Sequence, residues 1–212
     1  MKTTKLFFDT EFTGLNQHTT LISIGIVSEC GKSFYAEFTD YDALQINDWL
    51  RENVISNLTL TQHITKSVSG YEKWLSYNET FDNALSFALA EKDMSNFECI
   101  GQTEMIKNRL ESWLSQFEHI EMWSDCLAYD WVLFCQIWGG AFGIPKNIYY
   151  IPFDICTLMK VRNIDPDISR EEFSEGVDIS FDNFALDGIK HNAMFDALNI
   201  FKCYKKITAI NF

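Results

Sequence analysis

Two carboxylates stand two positions apart at the end of the first apolar run of the sequence. Asp9 and Glu11 follow Leu6-Phe7-Phe8, and a short apolar run of this kind is typical of a buried strand. Because side chains alternate along a strand, Asp9 and Glu11 are expected to project from the same face. A divalent cation between them would reverse their mutual repulsion. The pair therefore indicates a cation site, and the alternative is two ordinary surface acids at a strand end.

A second acidic group lies in the stretch Trp123-Ser-Asp-Cys-Leu-Ala-Tyr-Asp-Trp. Asp130 is surrounded by apolar residues in a predicted helix, and a buried carboxylate needs a cation, a base or a hydrogen-bonding partner. The alternative places Asp130 on the polar face of an amphipathic helix. Asp125 is predicted to cap this helix or to contact a residue that binds the cation, rather than to bind the cation directly.

The third group is His191-Asn-Ala-Met-Phe-Asp196. Asn192 is a good N-cap residue, so a helix is predicted from Ala193 onward, with Asp196 in its first turns. His191 then lies just before the helix, where it can reach toward a water molecule. Imidazole suits proton transfer because its ordinary pKa of about 6.5 lies close to neutral pH. The alternative is a structural histidine, although the other three histidines have no comparable context.

The elements that must position these groups are strands first and helices later. Three strands are predicted over 5–12, 20–28 and 33–39, and their close spacing favours an antiparallel meander. Two further strands are predicted over 119–123 and 149–151. Helices are predicted over 105–117, 129–138, 153–161 and 193–207, and a long loop over 162–190.

This order predicts an α/β fold in which a mixed β-sheet, with three antiparallel strands and then parallel strands, is flanked by helices. The length of 212 residues favours one domain over 1–212, with a mostly helical insertion around 41–100. Tyr129 and Trp131 are predicted to pack the helix that follows the second acidic group.

Composition limits the partners and the compartment. The net charge of −13 disfavours tight binding to a long duplex. The six cysteines form no CxxC pair and no Cys–His zinc spacing, so buried free thiols are predicted. The N-terminus is no signal peptide and no stretch is long enough to span a bilayer, so a cytoplasmic protein without a membrane partner is expected.

The three groups together resemble the DEDDh branch of the DEDD 3′→5′ exonuclease superfamily. The stretches similar to its three motifs are Asp9-Thr-Glu11-Phe-Thr-Gly14-Leu15, Asp125-Cys-Leu-Ala-Tyr-Asp130 and His191-Asn-Ala-Met-Phe-Asp196. The second motif usually begins with Asn. Asp125 in that place is similar to the exoribonucleases related to polyadenylate-specific 3′-exoribonuclease AS. The motifs occur in the family's order and span most of the chain.

The resemblance implies a ribonuclease H-like fold and the release of nucleoside 5′-monophosphates from the 3′ end of single-stranded RNA. It implies two Mg²⁺ or Mn²⁺ ions and His191 as general base. The implied metal ligands are Asp9, Glu11, Asp130 and Asp196, of which Asp9 would bridge the two ions. The implied substrate contacts are Phe12, Gly14 and Leu15. Core packing is the alternative for Phe12 and Leu15, and Lys190 is predicted to be an exposed loop lysine, with a phosphate contact as its alternative.

Three other functions share some of these features. A DNA-directed 3′→5′ exonuclease for proofreading or repair would use the same acids, because only contacts to the 2′-OH distinguish RNA from DNA. A catalytically inactive nucleic-acid-binding relative, or an acidic cation-binding scaffold, would bind without hydrolysis. The expected partner is the 3′ end of single-stranded RNA or DNA, and the resemblance and the many aromatic residues suggest a homodimer.

Overall fold

The computed structural model describes residues 2–62, 95–179 and 189–210. Six strands form one sheet in the order β4-β3-β2-β1-β5-β6. The strands are β1 (Thr3–Phe12), β2 (Leu21–Ser28), β3 (Ser33–Phe38), β4 (Asn96–Gly101), β5 (His119–Ser124) and β6 (Phe153–Asp154). The α-helices described are α1 (Asp48–Asn53), α2 (Thr103–Leu114), α3 (Asp130–Gln136), α4 (Ile155–Val161), α5 (Arg170–Ser174) and α6 (Ala193–Ala209).

The sheet confirms the predicted fold class. β1 pairs antiparallel with β2, and β2 pairs antiparallel with β3. The later strands β4, β5 and β6 all join in parallel. This mixed sheet flanked by helices is consistent with a ribonuclease H-like fold, and it places β1 in the interior of the sheet.

Helices cover both faces of the sheet because its central strands are apolar on both sides. All eight residues of β2 are buried, as expected for a strand covered on each face. On one face Phe8 packs with Phe134 of α3, and Phe34 packs with Trp113 of α2. On the other face Phe7 stacks on Phe201 of α6 at 4.7 Å between ring centroids. The helix α6 therefore lies against the face toward which Asp9 and Glu11 project.

Two element predictions were wrong. In addition, the strand β4 falls at the end of the region around 41–100, for which a mostly helical insertion stays a prediction. Residues 149–151 form no strand: Tyr149 donates one backbone hydrogen bond to the Ile120 carbonyl, and β6 starts only after Pro152. The predicted loop over 162–190 contains α5, and it is this helix that changes the description of the site.

Parts of two predictions lie outside the described residues. These are 63–94 of the expected helical insertion and 180–188 of the expected loop, so the single domain over 1–212 stays a prediction. Within 2–62, 95–179 and 189–210, no helix combines the length and the apolar character needed to cross a bilayer.

Candidate active site

The carboxylates of β1 lie at the floor of a cleft of about 390 Å³. Asp9 and Glu11 project from one face, as the alternation of the strand predicted. Burial, followed by the charges of Asp196 and Asp130, raises the pKa of Glu11 to about 8. Burial, followed by the charges of Asp130 and Glu11, raises the pKa of Asp9 well above its ordinary value. These are not ordinary surface acids, since their environment opposes their negative charge.

Asp130 reaches the cleft from the first residue of α3, where its side chain is 7% exposed. One carboxylate oxygen, Oδ1, accepts hydrogen bonds from the Thr10 backbone N–H at 3.0 Å and from the Thr10 hydroxyl at 2.5 Å. These bonds hold Asp130 beside β1 although it is far away in sequence. They also favour its ionised form, but burial outweighs them and raises the pKa of Asp130 to about 6.

The N-terminus of α6 approaches the sheet at Gly25, which is paired with Asp9 in the register of β1 and β2. A Cβ atom at Gly25 would collide with the backbone of Ala193 and Met194. Only glycine therefore allows the helix to come this close to β2. As a result, Asp196 in the first turn of α6 lies near the acids of β1, where burial raises its pKa to about 7.

His191 and Asn192 confirm the predicted start of α6. The Asn192 side chain accepts hydrogen bonds from the backbone N–H groups of Met194 and Phe195. His191 has a positive φ of 66°, a conformation that few residues other than glycine adopt. It is held there by a hydrogen bond of 2.9 Å from its backbone N–H to Asp196 Oδ2.

The His191 imidazole faces the acids. Its Nδ1 atom lies 4.0 Å from Glu11 Oε1, and the ring is one-third exposed. Burial and the charge of Lys190 lower the pKa of His191 from its ordinary value. Glu11, His191 and Asp196 each offer one donor atom, and these three atoms lie within 4.8 Å of one another. The arrangement can bind a cation and can hold a neutral imidazole beside it.

Asp125 does not cap α3. The N-cap position belongs to Tyr129, whose side chain makes no capping hydrogen bond. Asp125 Oδ2 instead accepts a hydrogen bond of 2.7 Å from Arg170 Nε, and both residues line the cleft. Arg170 lies in α5 and was not among the site residues predicted from the sequence.

A signal for α5 was nevertheless present in the sequence. Ser169-Arg-Glu-Glu172 has the spacing of a capping box, in which an N-cap serine is followed three residues later by Glu. The Ser169 hydroxyl accepts a hydrogen bond from the Glu172 backbone N–H at 3.3 Å. The local pattern predicts a helix start, but it does not predict that Arg170 would reach Asp125.

The predicted substrate contacts have different surroundings. Phe12 is partly buried and stacks on Tyr129 with ring centroids 5.6 Å apart, while Leu15 is 77% exposed. Gly14 lies in the loop after β1, where its N–H donates to the Thr19 hydroxyl. Trp131 packs on Phe134, as expected for helix packing. Lys190 is exposed and lines the cleft beside His191.

Two residues of the segment that follows β3, Trp49 and Asn57, contact the third motif, which starts at His191. Asn57 donates a hydrogen bond to the Lys190 carbonyl, and the Asn57 carbonyl accepts one from the Asn192 side chain. Trp49 of α1 meets the His191 ring edge-on at 5.1 Å between centroids. These contacts join residues more than one hundred positions apart, so no local pattern in the sequence could have indicated them.

Not all of the expected thiols are buried. Cys99, Cys135 and Cys203 are buried, as predicted. Cys30 and Cys126 are exposed, and Cys156 is intermediate. Of these, Cys126 belongs to the second motif and lines the cleft.

Comparisons with known proteins bear on this cleft. A family described as the 3′-5′ exoribonuclease Rv2179c-like domain matches residues 4–208, a range that contains all three motifs. Two curated relatives from Mycobacterium tuberculosis are named 3′-5′ exoribonuclease Rv2179c (strain H37Rv) and 3′-5′ exoribonuclease MT2234.1 (strain CDC 1551). Each is 27% identical over 144 residues, which cover 68% of this chain and 67% of the relative.

Proposed function

Since the chain belongs to the 3′-5′ exoribonuclease Rv2179c-like domain family, we propose that it is a metal-dependent 3′→5′ exoribonuclease of the DEDDh type. Its substrate is the 3′ end of single-stranded RNA or of a 3′ overhang, and its product is a nucleoside 5′-monophosphate. The reaction is the hydrolysis of the terminal phosphodiester bond by water.

One observation carries this proposal: four carboxylates from three separate segments of the chain meet one histidine in a single cleft. The carboxylates are those of Asp9, Glu11, Asp130 and Asp196. All four pKa values are raised, with burial as the largest cause. A fold that collects buried negative charges loses stability unless a cation compensates for them. Perturbed ionisable groups in a cleft are also typical of functional sites.

The donor set fits a hard divalent cation. Carboxylate oxygens are the ligands that Mg²⁺ and Mn²⁺ prefer, and no described cysteine sulfur belongs to the group of donors around Glu11. Asp9, Glu11, Asp130 and Asp196 would hold two such ions. When bound, ions of this kind polarise phosphoryl oxygens and stabilise negative charge during hydrolysis.

His191 acts as the general base in this proposal. Its lowered pKa keeps the imidazole neutral near pH 7, so a ring nitrogen is free to accept a proton from the attacking water. The hydrogen bond from the His191 backbone to Asp196 fixes the residue at the cleft. The Trp49 ring packs edge-on against the imidazole and restricts it.

The surroundings of the cleft favour the end of a single strand. The net charge of −13 works against long contacts with a polyanion. Lys190 lies at the cleft and is suited to meet one phosphate. The exposed Leu15 offers an apolar contact to a terminal base. Such a contact does not depend on which base is present. A short binding surface with few cationic groups suits an enzyme that works from a strand end.

The experiment is a metal-dependence assay on 5′-labelled single-stranded RNA and matched DNA with Mn²⁺, Mg²⁺ or EDTA. The parent protein is compared with Asp9→Ala, and with Asp48→Ala as a control at an exposed aspartate of α1. We expect a ladder that shortens from the 3′ end with either metal. EDTA and Asp9→Ala should abolish it, and Asp48→Ala should retain it.

Each result has a defined meaning. Faster shortening of RNA supports the proposed substrate, whereas faster shortening of DNA assigns the same chemistry to a DNA-directed exonuclease. No shortening in any metal, with metal binding intact by calorimetry, would identify an inactive nucleic-acid-binding relative. Cleavage within the strand rather than from its end would refute the proposal.

A further inference from the structure

Two cysteines face each other where the second motif meets α4. Cys126 Sγ lies 3.8 Å from Cys156 Sγ, although the residues are 30 positions apart. Cys126 is exposed and lines the cleft, and Cys156 is partly exposed in the first turn of α4. The sulfurs need to approach by only about 2 Å to reach the length of a disulfide bond. Side-chain rotation within the exposed loop of Cys126 can supply part of this movement.

The loop that carries Cys126 is constrained. Cys126 has a positive φ of 46°, a conformation that costs free energy for a residue with a Cβ atom. Its carbonyl accepts a hydrogen bond of 2.6 Å from the Ala128 N–H, which closes a tight turn before α3. Asp125 lies on one side of this turn and Asp130 on the other. A covalent bond at Cys126 therefore acts on both carboxylates.

Arg170 connects the two thiols to the site. Its Nε atom donates to Asp125 Oδ2 at 2.7 Å, and its Nη2 atom donates to Cys156 Sγ at 2.9 Å. A cationic group beside a partly exposed sulfur is typical of reactive cysteines. Cys156 is therefore the thiol that reacts first with an oxidant.

We propose that Cys126 and Cys156 are a redox modification site at the edge of the cleft, where hydrogen peroxide forms a disulfide that lowers exonuclease activity reversibly. The effect on activity rests on the proposed function, but the disulfide does not. In the first step, the Cys156 thiolate attacks peroxide, takes one oxygen to become a sulfenic acid and releases hydroxide. In the second, the Cys126 sulfur attacks the Cys156 sulfur, the S–O bond breaks and water leaves. Altogether, two thiols lose two electrons and two protons, and peroxide is reduced to two water molecules.

The environment of Cys126 suits its role as the second thiol. Partial desolvation, followed by the charge of Cys156 and the charge of Asp125, raises the pKa of the Cys126 thiol to about 12. Cys126 is therefore a poor first target for peroxide. Once Cys156 is oxidised to a neutral sulfenic acid, its negative charge no longer opposes ionisation of Cys126. The guanidinium of Arg170 remains, and its charge opposes part of the rise in the pKa of Cys126.

The disulfide changes the cleft because Cys126 lies in the same loop as Asp125. The disulfide fixes the turn before α3 to α4, and it displaces the Cys156 sulfur that accepts a hydrogen bond from Arg170. The pair of Arg170 and Asp125 then shifts, and with it the start of α3 at Asp130. A displacement of about 1 Å in a catalytic constellation costs on the order of 10²-fold in rate, so a loss of roughly 10- to 100-fold is expected.

The test treats the full chain with hydrogen peroxide in EDTA, followed by removal of peroxide, addition of Mg²⁺ and the RNA assay. Intact mass should fall by about 2 Da, as expected for loss of two hydrogens. Peptide mapping after alkylation of the remaining thiols should identify a Cys126–Cys156 link. Dithiothreitol should restore both the mass and the activity.

Variants separate this pair from other exposed thiols. Cys126→Ser and Cys156→Ser should form no link. For each variant, the exonuclease activity after peroxide treatment is compared with that of the same variant in its reduced form. Neither variant should show a loss of activity that dithiothreitol reverses. Cys30→Ser is the matched control: Cys30 is also exposed, but it lies at the turn between β2 and β3. This variant should respond to peroxide as the parent does.

The proposal is overturned if a peroxide dose that oxidises Cys30 leaves Cys126 and Cys156 unlinked in the parent. It is also overturned if the link forms and the activity is unchanged. If the reduced protein has no exonuclease activity, the proposed function fails, while the linked peptide still decides whether the disulfide forms.

Discussion

Replacement of Glu11 by Gln is expected to stabilise the metal-free protein at alkaline pH. The Glu11 side chain is only 12% exposed. Burial, followed by Asp196 and Asp130, raises its pKa from 4.5 to about 8. Because the pKa is raised in the folded state, the stability linked to this group is fully present below about pH 4.5 and is lost as the pH rises through about 8. Gln has nearly the same shape and never carries the charge.

The magnitude follows from the two pKa values. Each pH unit between them corresponds to about 1.4 kcal/mol, which sets a ceiling of roughly 5 kcal/mol. The neighbouring carboxyl groups share this repulsion and can also take up protons, so one neutral substitution relieves only part of it. We expect Glu11→Gln to increase the free energy of unfolding by about 1–3 kcal/mol at pH 8, and by much less near pH 4.5.

The assay is urea-induced unfolding in EDTA at pH 8 and pH 5, with Glu111→Gln as the matched control. Glu111 is an exposed residue of α2, and its substitution should change stability by less than about 0.5 kcal/mol. When Mg²⁺ or Mn²⁺ is added, the parent should become more stable than Glu11→Gln. A metal ion that binds the folded state more tightly stabilises it more, and the variant lacks one of the proposed ligands.

Three results would refute this reasoning. In the first, Glu11→Gln unfolds at a lower urea concentration than the parent in EDTA at pH 8. In the second, Glu11→Gln is more stable than the parent by the same amount at pH 5 and pH 8, which would exclude ionisation of Glu11 as the cause. In the third, Mn²⁺ stabilises the variant as strongly as the parent, which would exclude Glu11 as a ligand.

Three further substitutions test the histidine and the approach of α6 to the sheet. His191→Ala should retain the metal-induced thermal shift but lose roughly 10²–10⁴-fold in kcat, the usual range for loss of a general base; turnover near that of the parent would remove His191 from the mechanism. Gly25→Ala should destabilise the protein by about 1–3 kcal/mol, because the new Cβ atom overlaps the backbone of Ala193. It should also reduce RNA hydrolysis, and unchanged stability in urea would contradict the close approach. Asn192→Ala should cost more than about 1 kcal/mol, because it removes both the N-cap and the hydrogen bond to the Asn57 carbonyl; unchanged stability in urea would contradict both contacts.

Several features of the site could be predicted from the sequence because they depend on local geometry. The alternation of a strand places Asp9 and Glu11 on one face of β1 whatever the rest of the fold does. Asn192 favours a helix start since its side chain satisfies free N–H groups within the same turn. The close spacing of β1, β2 and β3 allows only antiparallel pairing. The order of strands and helices was therefore sufficient to predict the mixed sheet.

Other features depended on contacts between distant segments, and the tertiary structure alone decided them. Gly25 looks like any small residue in a strand, yet the lack of a side chain there is what brings Asp196 to the acids of β1. Asp125 has the residue type and position of a helix cap, but Arg170, which is 45 positions away, binds it instead. A hydrogen bond or a close packing contact of this kind depends on where the whole chain places its partner, and no local pattern contains that information.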